Sequence, residues 1–102
     1  PHDVGVKLHA PKQARAGALC QLTVDLLNQT TTAEIVQLRL RRNGLLLDCW
    51  VLNMNGEKKL RLNIPYLASA ADKPSVEIAV EAVIAADENP KDNIAQSIIG
   101  IK

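Results

Sequence analysis

The sequence predicts an all-β fold in which two antiparallel sheets pack face to face as a seven-stranded sandwich. Three observations predict it: apolar and polar residues alternate with a period of two, turn-forming residues interrupt that alternation at regular spacing, and no segment has a convincing helical period. The 102 residues suit a single domain, and an apolar content of 47% suits a packed core. Because there is one Trp, one Tyr and no Phe, that core must be aliphatic.

Each predicted strand is a short run bounded by residues that favour turns, and five of the seven runs alternate apolar with polar residues. The runs cover residues 4–8, 20–26, 36–41, 45–52, 60–64, 76–81 and 95–101. The breaks between them are Pro11, Ala16-Gly17, the polar stretch Asn28 to Thr32, Asn43-Gly44, Asn55-Gly56, Pro65, residues 67–74 and the polar loop Asp87 to Asn93. In an immunoglobulin-like or fibronectin-III-like sandwich, the first, second and fifth runs form one sheet and the other four form the second sheet.

The dipeptide Asn43-Gly44 predicts a two-residue type I′ hairpin between the third and fourth strands, because both turn positions need a positive φ. Counting outward from that turn places Leu38 opposite Cys49. Cys49 is therefore predicted to face the core and Trp50 to face solvent.

The outer face of this hairpin is predicted to carry a ladder of exposed charges. The register pairs Arg39 with Asp48, and the neighbouring sixth strand brings Glu77 and Glu81 toward Arg39 and Arg41. We interpret these groups as solvated ion pairs, each stabilising the fold by about 0.2–1 kcal/mol.

Trp50 is the main candidate for contact with a partner. In the predicted register it lies on the outer face of an edge strand together with Ile35, Leu46 and Leu52. An exposed apolar cluster around a Trp is typical of a partner site; the alternative is that a loop, a flanking domain or a strand bulge covers it. The same edge has no Pro or Lys to protect it, so a homo-oligomer formed through this edge also stays open.

The two cysteines are predicted to be buried free thiols. Cys20 and Cys49 fall on strands of opposite sheets, and the sixth strand has no Cys to complete an immunoglobulin-type bridge. Asn28-Gln29-Thr30 matches the N-glycosylation acceptor pattern, which is informative only in a eukaryotic secretory protein.

The sequence predicts neither an enzyme nor a cofactor site. The two histidines lie close together in the first strand region, without a Ser or Cys partner, and no Gly-rich phosphate-binding motif occurs. The polar loop could hold Ca²⁺ through Asp87, Asn89 and Asp92, but such residues more often shape a turn, so no metal is predicted.

Charge and hydropathy argue against nucleic acid and membrane as partners. The 12 Lys and Arg nearly balance the 11 Asp and Glu, for a formal net charge of +1. No aromatic residues interleave with the basic ones, and no apolar run is long enough to span a bilayer. Since the chain opens at Pro1 without Met, we interpret residues 1–102 as a single domain that is either a processed product or a piece excised from a larger protein.

The order and spacing of several short motifs resemble the CARDB family, the cell-adhesion-related immunoglobulin-like domains of bacterial and archaeal surface proteins. The motifs are Asp3-Val4-Gly5-Val6, Ala16-Gly17, Leu27-Asn28-Gln29-Thr30, the hairpin Leu38 to Gly44, and Asp87-x-Asn89-x-x-Asp92-Asn93. The chain departs from the pattern where Asp92 replaces an Asn, where Gly56 only loosely matches the family glycine, and in a shorter loop after the sixth strand.

The resemblance implies a non-catalytic adhesion, interaction or spacer module in the cell envelope or outside the cell. It implies neighbouring domains of the parent protein, or another surface protein, as partners. Two alternatives stay open: an accessory domain of a multidomain enzyme, packing on the catalytic domain or binding glycans weakly, and a self-associating structural module.

Overall fold

A computed structural model describes residues 4–84 and 93–102, which form two packed β-sheets. The strands of these residues are β1 (Val4–His9), β2 (Gln13–Ala14), β3 (Leu19–Asn28), β4 (Glu34–Arg42), β5 (Leu45–Met54), β6 (Lys59–Leu67), β7 (Ser75–Ile84) and β8 (Ile94–Ile101). A single 3-10 turn, Ala70–Asp72, joins β6 to β7. No helix among the described residues is long and apolar enough to cross a membrane.

The predicted sandwich and its division into sheets are confirmed. In the described part of the chain, one sheet has the order β1-β3-β6 and the other has the order β2-β8-β7-β4-β5. The two-residue strand β2, which pairs in parallel with β8, was not predicted, because two residues are too few to show alternation. It arises because the chain passes from one sheet to the other after Pro11.

The core between the sheets is aliphatic, as the composition predicts. Its largest fully buried side chains are Leu22, Leu26, Leu38, Met54, Ile78 and Ile99. They come from both sheets and alternate with outward-facing residues along each strand, which is how a sandwich buries one face of each sheet.

The hairpin between β4 and β5 starts as predicted and then changes register. Asn43 and Gly44 have φ values of 48° and 84°, as a type I′ turn requires. Arg42 lies opposite Leu45, but beyond the next pair a β-bulge shifts the register, so that Arg39 rather than Leu38 lies opposite Cys49.

The bulge inverts the faces of β5, so the predicted orientations of Cys49 and Trp50 are wrong. Cys49 is exposed, whereas Trp50 and Leu52 are partly buried and pack against the core. A one-residue slip moves every later side chain to the opposite face. Here the slip exchanges a small thiol for a large indole at the core, which removes more apolar surface from water.

A buried polar cluster, which we call the clasp, joins the two sheets at one end of the sandwich. Arg42 of β4 donates to the Asp72 carboxylate from Nε at 2.7 Å and also from Nη2. The Tyr66 hydroxyl of β6 donates to Asp72 at 2.8 Å, and the Ser69 backbone N–H donates to it at 3.0 Å. Asp72 is 1% exposed, so the ionised form of its carboxylate is stabilised by these hydrogen-bond donors and not by water.

A second buried polar residue, Asn28, lies at the C-terminal end of β3. It connects the loop between β3 and β4 with the loop between β5 and β6. Its amide nitrogen lies 2.8 Å from the carbonyl of Thr32 and 3.2 Å from those of Met54 and Asn55. Its Oδ1 accepts from the N–H of Thr30 at 3.0 Å and from the Thr30 hydroxyl at 2.8 Å. Because the Asn28 side chain is buried and hydrogen-bonded in this way, the glycosylation pattern there does not present an accessible acceptor in the folded domain.

Candidate functional site

The surface of β4 and β5 carries a group of exposed aliphatic side chains, which we call the aliphatic patch. It consists of Ile35 of β4 and Leu45, Leu46, Leu47 and Val51 of β5. Leu45 and Val51 are 71% and 69% exposed. Leu46 lies opposite Arg41 and Val51 opposite Gln37, on the same outer face as Ile35, whereas Leu45 lies opposite Arg42 at the end of the strand. Several exposed aliphatic side chains on one sheet are typical of a surface that another protein covers.

The patch contains two of the four predicted partner-site residues. Ile35 and Leu46 are exposed as predicted, but Trp50 and Leu52 pack against the core. The prediction missed Leu45, Leu47 and Val51. Exposure within the run Leu45 to Leu47 could have been predicted, because a strand facing one core can bury only alternate residues. The exposure of Val51 could not, because it depends on the bulge.

A row of charges lies on the same sheet face beside the patch. The Glu81 Oε1 atom of β7 lies 3.6 Å from Nη1 of Arg39 and 3.7 Å from Nη2 of Arg41. This confirms the predicted approach of Glu81 to both arginines, whereas Glu77, predicted to lie near them as well, forms no ion pair with either. Arg39 Nε donates to Gln37 at 2.8 Å, and the predicted Arg39–Asp48 pair does not form, because the bulge places Asp48 opposite Leu40.

The free edge of β5 is protected, although its sequence contains no Pro or Lys. The bulge interrupts the strand at Leu47, and bulges of this kind make an edge a poor template for another strand. The carboxylate of Asp48 also accepts the Cys49 backbone N–H at 2.8 Å, so that donor is already occupied. The patch therefore favours docking through side chains over addition of a further strand.

The two thiols differ in exposure, which gives a direct test of the bulge. Cys20 is 8% exposed and belongs to the core, whereas Cys49 is exposed on β5. We expect Cys49 to react rapidly with a maleimide in the native domain and Cys20 to react at least about 100-fold more slowly, since it must wait for opening of the structure. The variants Cys20→Ser and Cys49→Ser assign each rate, and slow reaction of both thiols would contradict the register shift.

The described residues contain no group of three or more His, Cys, Asp or Glu side chains that could hold a metal ion. The candidate calcium ligands Asp87, Asn89 and Asp92 lie outside the described residues, so this interpretation stays untested. The described carboxylates whose pKa values fall below the usual range are Asp25 and Asp72. Asp72 belongs to the clasp. Asp25 lies on β3, on the outer face of the sheet that does not carry the aliphatic patch.

The fold defines a class, an immunoglobulin-like β-sandwich, and within that class it is similar to the fold of CARDB domains. The chain is similar to the CARDB domain of the PF1109 protein from Pyrococcus furiosus, a structure determined in complex with di-metal ions. The two share 15% sequence identity with a TM-score of 0.87, over 99% of this chain and 89% of that domain. The resemblance in fold to CARDB domains is thereby confirmed.

Two larger proteins contain a region of similar fold. In Escherichia coli alpha-2-macroglobulin, solved from domain MG7 to the C-terminus, the match has a TM-score of 0.74 and 21% identity over 99% of this chain and 17% of that one. In Listeria innocua beta-glucosidase it has a TM-score of 0.67 and 9% identity over 98% and 16%. No family sequence model matches the chain, and no curated protein sequence matches it.

Proposed function

We propose that this domain is a non-catalytic interaction or spacer module of a larger protein of the cell envelope or surface, and that the aliphatic patch packs against a neighbouring domain of that protein. The observation that carries the proposal is the patch itself, five aliphatic side chains that face water on β4 and β5.

The similar structures support a neighbouring domain as the occupant. In two of them a sandwich of this fold makes up 16% to 17% of a longer chain, so the fold occurs beside other domains. Interfaces between domains of one chain are of moderate size and mix apolar with polar groups. The patch and its row of arginines and Glu81 have this mixed character.

The neighbour can be a structural domain or the catalytic domain of an enzyme, and the same surface serves either arrangement. The protected edge of β5 argues against a homo-oligomer formed by strand pairing. Weak glycan binding through Trp50 would need an exposed indole ring, and Trp50 instead packs against the core.

Cys49 provides a reporter for the proposed interface, because its exposed thiol lies on β5 between Leu47 and Val51. We expect Cys49 to react with a maleimide quickly in this isolated domain and about 10-fold or more slowly in the natural polypeptide that carries it. The double substitution Leu46→Ser and Val51→Ser, introduced into that polypeptide, should restore fast labelling.

The matched control is the double substitution Leu19→Ser and Leu67→Ser, which removes two exposed aliphatic side chains, 71% and 63% exposed, from the other sheet. It should leave Cys49 protected in the natural polypeptide. Equal labelling rates in the isolated domain and the natural polypeptide would refute the proposed interface. If labelling of Cys49 in the isolated domain becomes slower as the concentration of the domain rises, self-association would be favoured instead.

A further inference from the structure

The outer face of the β1-β3-β6 sheet carries a groove of about 560 Å³, which we call the basic groove. Lys7 of β1, Asp25 of β3 and Arg61 of β6 lie side by side across the sheet. Lys59 lines the groove one row away, on the same face as Gly5. These residues are far apart in the sequence, and only the strand order brings them onto one surface.

Asp25 is fixed at the centre of the groove by the side chains of Arg61 and His9. Arg61 donates from Nε to Oδ1 at 2.7 Å and from Nη2 to Oδ2 at 3.1 Å, while His9 Nε2 lies 3.1 Å from Oδ2. The hydrogen bond from Arg61 is the largest cause that lowers the pKa of Asp25. The carboxylate therefore stays ionised, and with about four acceptor positions available it keeps one free on Oδ1.

The two lysines supply positive charge that is not neutralised within the described residues. Asp25 balances Arg61, whereas neither Lys7 nor Lys59 forms an ion pair with a described residue. They stand on β1 and β6, with β3 between them and one row apart along the strands, and are thus about 12 Å apart at the backbone. Two flexible lysine side chains can converge on one anionic group over that distance.

The floor and one end of the groove offer neutral polar groups. Gly5 has no side chain above the floor, and the Gln29 amide takes that space, since a Cβ atom on Gly5 would lie 3.4 Å from Nε2 of Gln29. The Gln29 amide therefore lies directly over the Gly5 backbone, where it can both donate and accept hydrogen bonds. The groove combines cations, a carboxylate and an amide within one surface.

We propose that the basic groove binds a carboxylate-bearing sugar of the uronate type, with its carboxylate between Lys7 and Lys59 and its hydroxyl groups on Asp25 and Gln29. None of the described residues that line the groove is aromatic, so stacking on a neutral sugar is not available. The Asp25 carboxylate accepts hydrogen bonds from sugar hydroxyls, which the side chains of an acidic peptide do not supply. This site lies on the opposite sheet from the aliphatic patch, and its test is independent of that interface.

The test is an NMR titration of the isotope-labelled domain with hexagalacturonate, with the neutral cellohexaose and hexaglutamate as comparison ligands. We expect hexagalacturonate alone to bind, and to shift the backbone amide signals of Lys7, Asp25, Gln29, Lys59 and Arg61. The double substitution Lys7→Gln and Lys59→Gln should weaken binding about 10-fold, as expected for the loss of two exposed ion pairs.

The matched control is the double substitution Lys12→Gln and Lys102→Gln, which removes the same charge from residues outside the groove. It should change the affinity less than about 2-fold. The proposal is overturned by no shift at millimolar hexagalacturonate, by equal weakening in the control, or by shifts elsewhere on the surface. Equal binding of cellohexaose or of hexaglutamate also overturns it, because the carboxylate or the hydroxyl groups would then play no part.

Discussion

Replacing Asp72 by asparagine is expected to lower the free energy of unfolding at pH 7 by about 2–3 kcal/mol. The substitution keeps the shape of the side chain but removes the negative charge that accepts from Arg42, Tyr66 and Ser69. Arg42 would then keep its charge beside a neutral amide, and Asn offers one acceptor oxygen where the carboxylate has two. Urea denaturation of the two proteins at pH 7 measures the difference.

The same carboxylate makes stability depend on pH in a defined direction. Burial opposes its ionisation, but the hydrogen bonds from Arg42, Tyr66 and Ser69 together hold the pKa of Asp72 below the ordinary value of 3.8. A carboxylate with a lowered pKa stabilises the fold above its unfolded-state pKa, and this contribution is lost as the pH falls through the folded-state pKa. The difference between wild type and Asp72→Asn should therefore shrink steadily below about pH 4.

Glu77→Gln is the matched control, because Glu77 is an exposed carboxylate of β7 that forms hydrogen bonds with Asn43 through its backbone. It should leave both the stability at pH 7 and its pH dependence nearly unchanged. Equal effects of the two substitutions, or a difference for Asp72→Asn that does not vary below pH 4, would mean that the clasp does not hold the sheets through its charge.

Replacing Asn28 by alanine is expected to lower the free energy of unfolding by about 3 kcal/mol. The loss would leave the buried Met54 carbonyl without the amide that contacts it, and would free the loops that Thr30, Thr32 and Asn55 belong to. Asn28→Asp, which has the same shape, should be at least as damaging, since it turns a donor toward three carbonyls into an acceptor. Thermal and urea unfolding of both variants measure the effect.

The comparison for Asn28 is Asn63→Ala, which removes an exposed amide that accepts a single hydrogen bond from Thr23 at 3.1 Å. Its effect should be within about 0.5 kcal/mol of zero. If Asn28→Ala lowers the free energy of unfolding no more than Asn63→Ala does, the Asn28 amide is not needed to hold the two loops. Backbone contacts would then hold them, such as the hydrogen bond from the Glu57 N–H to the Thr30 carbonyl at 2.8 Å.

Local patterns predicted most of the fold. Alternation with a period of two depends only on each strand facing one core, so the strands and their division between the sheets follow from the sequence. The turn at Asn43 and Gly44 follows in the same way, because few residue pairs accept two positive φ values.

The features that sequence reasoning missed depend on competition or on distant contacts. The bulge in β5 places Trp50 rather than Cys49 against the core, and the apolar run Leu45 to Leu52 does not show which of the two faces inward. The clasp joins residues 24 and 30 positions apart along the chain, and the basic groove joins β1 to β6. The strand order places Lys7 beside Asp25 and Arg61, a proximity that their separation along the sequence hides.

The parallel pairing of β2 with β8 has a mechanical consequence. The N–H groups of Gly100 and Lys102 donate to the carbonyls of Lys12 and Ala14, and the N–H of Ala16 donates to Lys102, each at 2.9 Å. Tension that enters before β2 and leaves after β8 pulls these parallel strands past each other lengthwise, so all three bonds must break together rather than one by one. A module joined in series with other domains would resist stretching at the pairing of β2 with β8.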